Sequence, residues 1–411
     1  MPYYPVDPAT WRPSRPAQPA TRITSDAHAI ETAHALAKLF AEGALERDRQ
    51  RALPFAEVEA YSQSGLWGIT IPKQYGGAAV SQVTLAKVFA ILAAADASAA
   101  QIAQNSFEII DVIRLSASEQ QKQALFAAVL SGLRLGNAFS EFGGKNVEDF
   151  QTRISDHDEH HKVLNGRKFY STGALFAHLV PIVALDDHDH VIVAIADRDT
   201  PGLSVIDDWS AFGQRTTASG TVLLENVVVP NERVLPAHIV YENPSAVGPQ
   251  SQLIHAAIDA GIARGALQAT VEFVRSKARP WIDSGKEHAS DDPFTIAAVG
   301  DLFIRLHAAE ALLERAGLQL DATIAEPTLD SIAKAKIAVA EAKVLTTDIA
   351  LLAANKLFEL GGTRSTLQQN GLDRLWRDAR THTLHDPVRW KPYAVGQYYL
   401  NGVNPPQHSW I

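Results

Sequence analysis

The chain has 411 residues, 46% of them hydrophobic, enough for two or three domains with their own cores. Its formal charge is −9 and it carries no basic run, which argues against a nucleic-acid partner. There is no cysteine and Met1 is the only methionine, so disulfides and thiolate metal sites are excluded.

No apolar stretch approaches the length of a membrane span. The N-terminal segment MPYYPVDPATWRPSRPAQPA lacks an apolar signal-peptide core, so the expected location is cytoplasmic. The sulfur economy has three competing explanations: heat adaptation, peroxide chemistry, or synthesis under sulfur scarcity. Plentiful Asn, Gln and His weaken the first.

Residues 1–20 are Pro-rich and aperiodic, an arm that is extended or packs on a neighbour. An α-helical domain is expected over 21–134. Its first helix runs from Ser25 to Leu45, capped by Ser25 or Asp26. A second spans 54–66, opening at Pro54 and stopping at Gly65. Pro72 and Gly76-Gly77 mark turns. Ser81–Asp96 is strongly apolar, 98–115 forms the next helix, and Ser118–Leu130 opens on a capping box with Gln121.

The pattern then changes to short strand-like runs, predicting a β domain over 135–240, a small barrel or sandwich. Asn165-Gly166 reads as a hairpin turn. Residues 241–411 are helical, at about 252–280, 293–322, 328–360 and 370–385, which suggests an antiparallel four-helix bundle with a tail.

Several stretches can carry chemistry. WRDARTHTLHDP (376–387) places His382 and His385 about one turn apart on one face, with Asp386 held before Pro387 at a helix end. Two imidazoles suit proton donation and acceptance near neutral pH, but a charged, capped helix end explains them as well. LGNAFSEFGG puts Asn137 and Ser140 before a Phe-Gly-Gly turn, suited to the polar edge of a planar heterocycle, or to an ordinary strand end. KFYSTG offers Tyr170, Ser171 and Thr172. Trp209 sits in a Gly- and Thr-rich loop where it can form an aromatic wall. Arg279 and Arg364 lie near turns and are natural phosphate clamps, although isolated arginines are commonly just solvated. The DHDEHH run with His157, His160 and His161 reads as a solvated turn, and no metal site is expected. No dinucleotide fingerprint, P-loop or GxSxG is present.

Taken together, these segments resemble the acyl-CoA dehydrogenase superfamily over about residues 25–400. AFSEFGG, KFYSTG, ELGGTRS and RLWRDAR fall in that superfamily's order and spacing. Departures point to a branch: Asp386 followed by Pro387 stands where a dehydrogenase carries a catalytic Glu, Tyr170 replaces its flavin-covering Trp, and Lys277 falls near its FAD-gripping Arg. ARPW, DDPFTI, DDWSAFGQR, RTHTLHDPV and VGQYYLNG resemble the flavin-dependent monooxygenase branch, the group of the dibenzothiophene monooxygenases and sulfur-acquisition oxidoreductases.

The resemblance implies a two-component enzyme. An NAD(P)H:flavin reductase supplies FMNH2, and a C4a-hydroperoxyflavin gives one oxygen to a small organosulfur compound. It implies FMN contacts at Asn137, Ser140, Thr172 and Trp209, a phosphate held by Arg279 and Arg364 (the latter from a neighbouring subunit), and His385, with His382 behind it, managing the peroxide proton beside Thr172. Gln101, Asn105 and Phe107 are expected in the substrate pocket. Gln101 and Asn105 stand where that group has His and Tyr, which separates this pocket from one for bulky aromatics. A homotetramer is implied. The alternatives are an FAD-dependent acyl-CoA dehydrogenase with Asp386 as base, an N-oxygenating monooxygenase, or a catalytically silent scaffold.

Overall fold

The computed structural model describes residues 10–411, so the start of the Pro-rich arm lies outside the described residues. The first helical layer contains α1 (Asp26–Ala41), α2 (Ala44–Gln50), α3 (Phe55–Gln63), α4 (Gln82–Ala95), α5 (Ala97–Gln101), α6 (Gln104–Ser116) and α7 (Glu119–Leu130). Local signals set many of their ends. Ser25 Oγ accepts from His28 N at 3.1 Å, Ser81 Oγ from Thr84 N at 3.2 Å, and Ser118 and Gln121 form the reciprocal box at α7. The predicted helix to Leu45 breaks instead at Gly43, whose φ is 72°, and the helix expected over 98–115 splits into α5 and α6.

The middle of the chain forms one seven-stranded sheet: β1 (Arg153–Asp156), β2 (His161–Lys168), β3 (Leu179–Leu185), β4 (Val191–Asp197), β5 (Leu203–Ile206), β6 (Thr221–Pro230) and β7 (Val234–Leu235). The order is β5-β6-β2-β1-β3-β4-β7, antiparallel except where β1 meets β3. Asn165-Gly166 is not a hairpin turn. It lies inside β2, where the register against β6 shifts between Leu164 and Gly166. The chain reverses at the exposed DHDEHH segment instead, where Asp158 holds the His160 and His161 amides. Here the Asx geometry of an aspartate outweighs the Asn-Gly signal.

The second helical layer holds α8 (His238–Glu242), α9 (Val247–Ser276), α10 (Pro293–Ala325), α11 (Leu329–Gly361), α12 (Asp373–His382) and α13 (Trp390–Asn401). The antiparallel bundle is built on α9, α10 and α11. The fourth expected helix, α12, is only 10 residues long. α4, apolar over most of its surface, packs against α9 and α10, so the two helical layers share one core. α13 was not anticipated as an element.

Arg47 is buried and joins Glu57 at 2.7 Å to Asp96 at 2.8 Å. Asp96 also caps α5, accepting from Ser98 N and Ala99 N at 3.1 Å each. Arg51 pairs with Asp207, and Arg377 of α12 binds Asp48 and the Phe212 carbonyl, tying α2, the β5–β6 loop and α12 together. The described part of the arm makes contacts with its own chain. Trp11 lies 4.5 Å from the Phe55 ring, and His178 Nε2 meets Ser14 O at 3.0 Å.

Candidate functional site

The polar loops of the sheet meet the helices at two facing groups of side chains. The first is on the sheet edge. Phe169 N donates to Ser140 O at 3.0 Å, which sets the AFSEFGG segment beside KFYSTG. Asn137 is buried; its Oδ1 accepts from Phe139 N at 3.0 Å and its Nδ2 faces Tyr170 O at 3.4 Å. Tyr170 has a φ of 59°, an uncommon conformation for a bulky residue. That turn leaves its ring 47% exposed. Phe142, Phe169, Tyr170 and Trp209 form a continuous edge-to-face cluster, with Tyr170 and Trp209 6.1 Å apart and Phe142 79% exposed. An aromatic wall left open beside polar groups is what a planar ring needs.

Thr172 begins a chain of hydroxyls whose direction can be deduced. Thr217 Oγ1 lies 3.1 Å from Gln214 O, and a carbonyl only accepts, so Thr217 donates. Its one proton is then spent. The 2.8 Å contact therefore has Ser219 donating to Thr217, and the 2.7 Å contact has Thr172 donating to Ser219. Thr172 Oγ1 is left as a pure acceptor. Gln214 O also takes the Trp209 indole N–H at 3.0 Å, and Gln214 N donates to Asp378 Oδ1 of α12 at 2.6 Å. Burial first, with Arg374 and this hydrogen bond opposing, pushes the Asp378 carboxyl up to about 7.

The second group is at the helix junction. α12 ends at His382, and His385 lies beyond it in a turn closed by His385 N to His382 O at 3.0 Å. The two rings therefore do not share a helix face. They converge instead on a third, His255 of α9. His382 Nε2 is 3.3 Å from His255 Nδ1, and the His385 ring lies 3.7 Å from the His255 ring. His382 Nδ1 donates to Asp259 Oδ1 at 2.6 Å, while Asp259 Oδ2 accepts from Lys343 Nζ at 2.8 Å and Thr347 at 2.9 Å. Burial opposes ionisation of Asp259, but Lys343 and His382 outweigh it and hold its carboxyl low. Burial lowers His382, against the pull of Asp259, and lowers His255 further. Both rings are thus neutral near pH 7. With Nδ1 protonated toward Asp259, His382 Nε2 is an acceptor. Gln101 Oε1 lies 3.2 Å from that nitrogen, and since two acceptors cannot bond, turning the amide over puts its NH2 there as donor.

Asp386 is buried, with Lys391 Nζ at 3.2 Å and His385 Nδ1 at 3.5 Å. Burial raises its pKa, but His385, Lys343 and Lys391 together hold the carboxyl well below the usual carboxylate range. A carboxylate so stabilised is a weak base. His385 itself stays 38% exposed.

The two groups adjoin. Gly173, directly after Thr172, has a φ of 81°, and a Cβ there would lie 2.8 Å from Ile102 O. Ile102 follows Gln101, which reaches His382. Thr172 and the histidines therefore flank one short stretch of chain.

Trp209 also lines an open cavity of about 710 Å³ with Asp48, Arg215, Phe212 and Gln368. None of the other expected site residues lines it. Arg279 and Arg364 are exposed at the bundle end; Arg364 donates to Lys277 O at 3.1 Å, two residues before Arg279. Asn370 bonds Lys277 and the Arg364 carbonyl, linking this cationic corner to the Gln368 rim of the cavity. Asn105 is part-buried near Gln101. Phe107 is buried in the core, edge-to-face on Phe89 at 5.3 Å. No group of His, Cys, Asp and Glu among the described residues could hold a metal. No helix among the described residues is long and apolar enough to cross a membrane.

Sequence reasoning missed His255, Asp259, Lys343, Ser219 and Gln214. The first two had a signal: a His and an Asp at i and i+4 inside the otherwise apolar HAAIDAGIARG.

Comparison with known proteins agrees with this architecture. The acyl-CoA dehydrogenase N-terminal, middle and C-terminal domain descriptions match residues 28–133, 138–227 and 253–390. The dibenzothiophene monooxygenase of Rhodococcus erythropolis is 34% identical over 400 residues, covering 93% of this chain and 96% of its own. The probable FMNH2-dependent monooxygenase SfnC of Pseudomonas putida is 30% identical, covering 92% and 96%. The crystal structure of FMN-bound TdsC from Paenibacillus sp. A11-2 superposes with a TM-score of 0.89 at 32% identity, covering 93% and 100%. With all three domains matched in order and near-complete coverage by monooxygenases, the chain belongs to the acyl-CoA dehydrogenase family, in its flavin-dependent monooxygenase branch.

Proposed function

We propose that this chain is the oxygenase component of a two-component system, an FMNH2-dependent monooxygenase acting on a small organosulfur compound. A separate NAD(P)H:flavin reductase delivers the reduced flavin. The observation that carries the reading is the pairing of a pure hydrogen-bond acceptor, Thr172, with a neutral histidine cluster on either side of the Gln101-Ile102 stretch, where Gly173 packs on the Ile102 carbonyl and Gln101 reaches His382. The likeness to an FMNH2-dependent monooxygenase and to an FMN-bound structure supports it.

The residues fit a flavin mononucleotide. Reduced FMN, when bound, supplies the activation of molecular oxygen. Thr172, lacking a free proton, would accept the N–H that distinguishes the reduced central ring from the oxidised one. Asn137 and Ser140 hold the polar edge of the ring system, and Tyr170 and Trp209 exclude water from its face. Arg279 and Arg364 hold the phosphate as charge-assisted donors, with a second copy supplying one of them in a homotetramer.

His385, part-exposed and set against buried Asp386, would hold or move a proton at its ring nitrogen facing the site. His382, locked by Asp259 and Lys343, positions the ring of His255 on which His385 rests. Gln101 and Asn105 border the substrate. A dehydrogenase using Asp386 as base fits less well, because Lys391 and His385 stabilise that carboxylate.

The test is turnover of a panel of sulfides, sulfoxides and amines with FMN or FAD, a reductase and NADH. Oxygenated sulfur products with FMN, and little hydrogen peroxide, are expected. Tight FAD retention with oxidation of an acyl thioester overturns the reading.

A further inference from the structure

A second polar feature lies one turn along α9 from His255. Ser251 and His255 are four residues apart, so they share a face of α9 and are separated by about 6 Å of helix rise. Opposite them, α6 carries Gln104, Asn105 and Glu108. Gln104 Nε2 donates to Ser251 Oγ at 3.0 Å, and Ser251 Oγ donates to Glu108 Oε2 at 3.2 Å.

That arrangement fixes one carboxyl oxygen and leaves Oε1 free. Glu108 and Asn105 each keep partial exposure although Gln104, Ser106, Phe107 and Ile109 around them are fully buried. The accessible face of α6 is therefore polar and narrow, and it opens where its neighbours are closed. The Asn105 amide makes no hydrogen bond among the described residues. At i and i+3 the two side chains are neighbours on the helix surface.

No cation among the described residues pairs with Glu108. The nearby Arg114 is taken by Asp111 at 2.8 Å. Burial, opposed by the Ser251 hydrogen bond and helped by the negative charge of Asp111, pushes the Glu108 carboxyl up to about 7. With Ser251 donating to Oε2, the acid proton resides on Oε1, directed away from Ser251. Below about pH 7, where the Glu108 carboxyl holds its proton, the α6 face presents two neutral donors, a carboxylic O–H and an amide N–H. They suit a strong neutral acceptor. A sulfide or thiophene sulfur is a weak one, and an anion would meet the negative charge of Asp111.

Resting on the oxygenase reading above, we propose that Asn105 and Glu108 form the polar end of the substrate site, and that the preferred substrate is a small neutral sulfoxide. The S=O oxygen is held by these two donors, and the sulfur keeps the lone pair that oxygen transfer requires. The site then discriminates by hydrogen bonding, the mode in which a missing partner costs most.

The test is binding to the FMN-loaded protein, followed by NMR titration, of dimethyl sulfoxide, dimethyl sulfide and methanesulfinate, with FMN affinity measured on the same preparations. Wild type should bind the sulfoxide at least about fivefold more tightly than either other probe. Glu108→Leu should weaken sulfoxide binding about tenfold, the size of one lost buried hydrogen bond. Glu108→Gln, which keeps a donor, should remain within about threefold of wild type, and Asn105→Ala should lose several-fold. FMN affinity should not change in any variant. Equal binding of sulfoxide and sulfide by wild type, or sulfoxide affinity unaltered in both Glu108→Leu and Asn105→Ala, overturns the assignment. A protein that binds no FMN removes the oxygenase reading, and this assignment with it. FMN bound normally with indifferent variants removes this assignment alone.

Discussion

The sheet edge and the helix junction are built from different physics. At the edge, Thr172, Ser219 and Thr217 are neutral hydroxyls whose order is imposed by one backbone carbonyl. At the junction, Asp259, Lys343 and His382 are ionisable groups packed in the interior with almost no solvent. A hydroxyl chain costs little to bury and sets direction. A buried ion pair costs several kcal/mol per ion to desolvate and holds only while all partners are present. The edge should therefore tolerate substitution with a local loss of binding, whereas the junction should fail as a unit.

The largest effect is expected at Asp259. Asp259→Ala strands the Lys343 ammonium and should cost about 3–5 kcal/mol in denaturant unfolding. Adding Lys343→Met should recover at least half of that. If the double variant is no more stable than the single one, the junction is not a coupled unit.

Next comes Asp378, which joins the two regions through Gln214. Its folded pKa is about 7, above the ordinary carboxylate value, so the folded state binds the extra proton. Its contribution to stability is full below pH ~4 and is lost as pH rises through ~7, roughly 1–4 kcal/mol in all. Asp378→Asn keeps an acceptor for Gln214 N but cannot titrate. It should flatten the stability profile between pH 5 and 7.5; an unchanged slope assigns the dependence elsewhere.

Smaller still, His385→Asn should lower product formation about 100-fold, the scale of general acid–base assistance, and raise hydrogen peroxide per NADH. Unchanged coupling would remove His385 from proton handling. The smallest is Thr172→Val, which should weaken reduced FMN about tenfold while leaving oxidised FMN within twofold. Equal loss for both forms would mean the hydroxyl does not read the reduced ring.

Much of this was legible in the residues, and the omissions have physical causes. Capping at Ser25, Ser81 and Ser118, the switch to strand-like runs after Leu135, and the long bundle helices all follow from local rules. The histidines at 382 and 385 were visible as a pair. Their true relation was not, because it runs through His255, over a hundred residues away on α9. Asp259 and Lys343 were hidden for the same reason: each reads locally as an ordinary helical charge, and only packing reveals that they meet. Asn165-Gly166 misled because neither residue takes the left-handed conformation that a two-residue hairpin turn needs; the extra residue at this register shift is on the facing strand β6, where Asn226 has a φ of 53°. The hydroxyl chain could not be foreseen, since Thr217 and Ser219 look like any polar loop.

Gly213 sets a boundary for anyone reshaping the enzyme's specificity. A Cβ at this position would sit 2.0 Å from the Arg377 carbonyl, so no other residue fits without displacing α12. Within the stretch from there to Ser219, Gln214 holds the Asp378 bond and Thr217 and Ser219 the hydroxyl chain. Ser210, Ala211 and Phe212, by contrast, face the open cavity. Libraries that vary 210–212 and leave 213–219 intact can recontour the cavity while sparing the hydroxyl chain and the Asp378 bond.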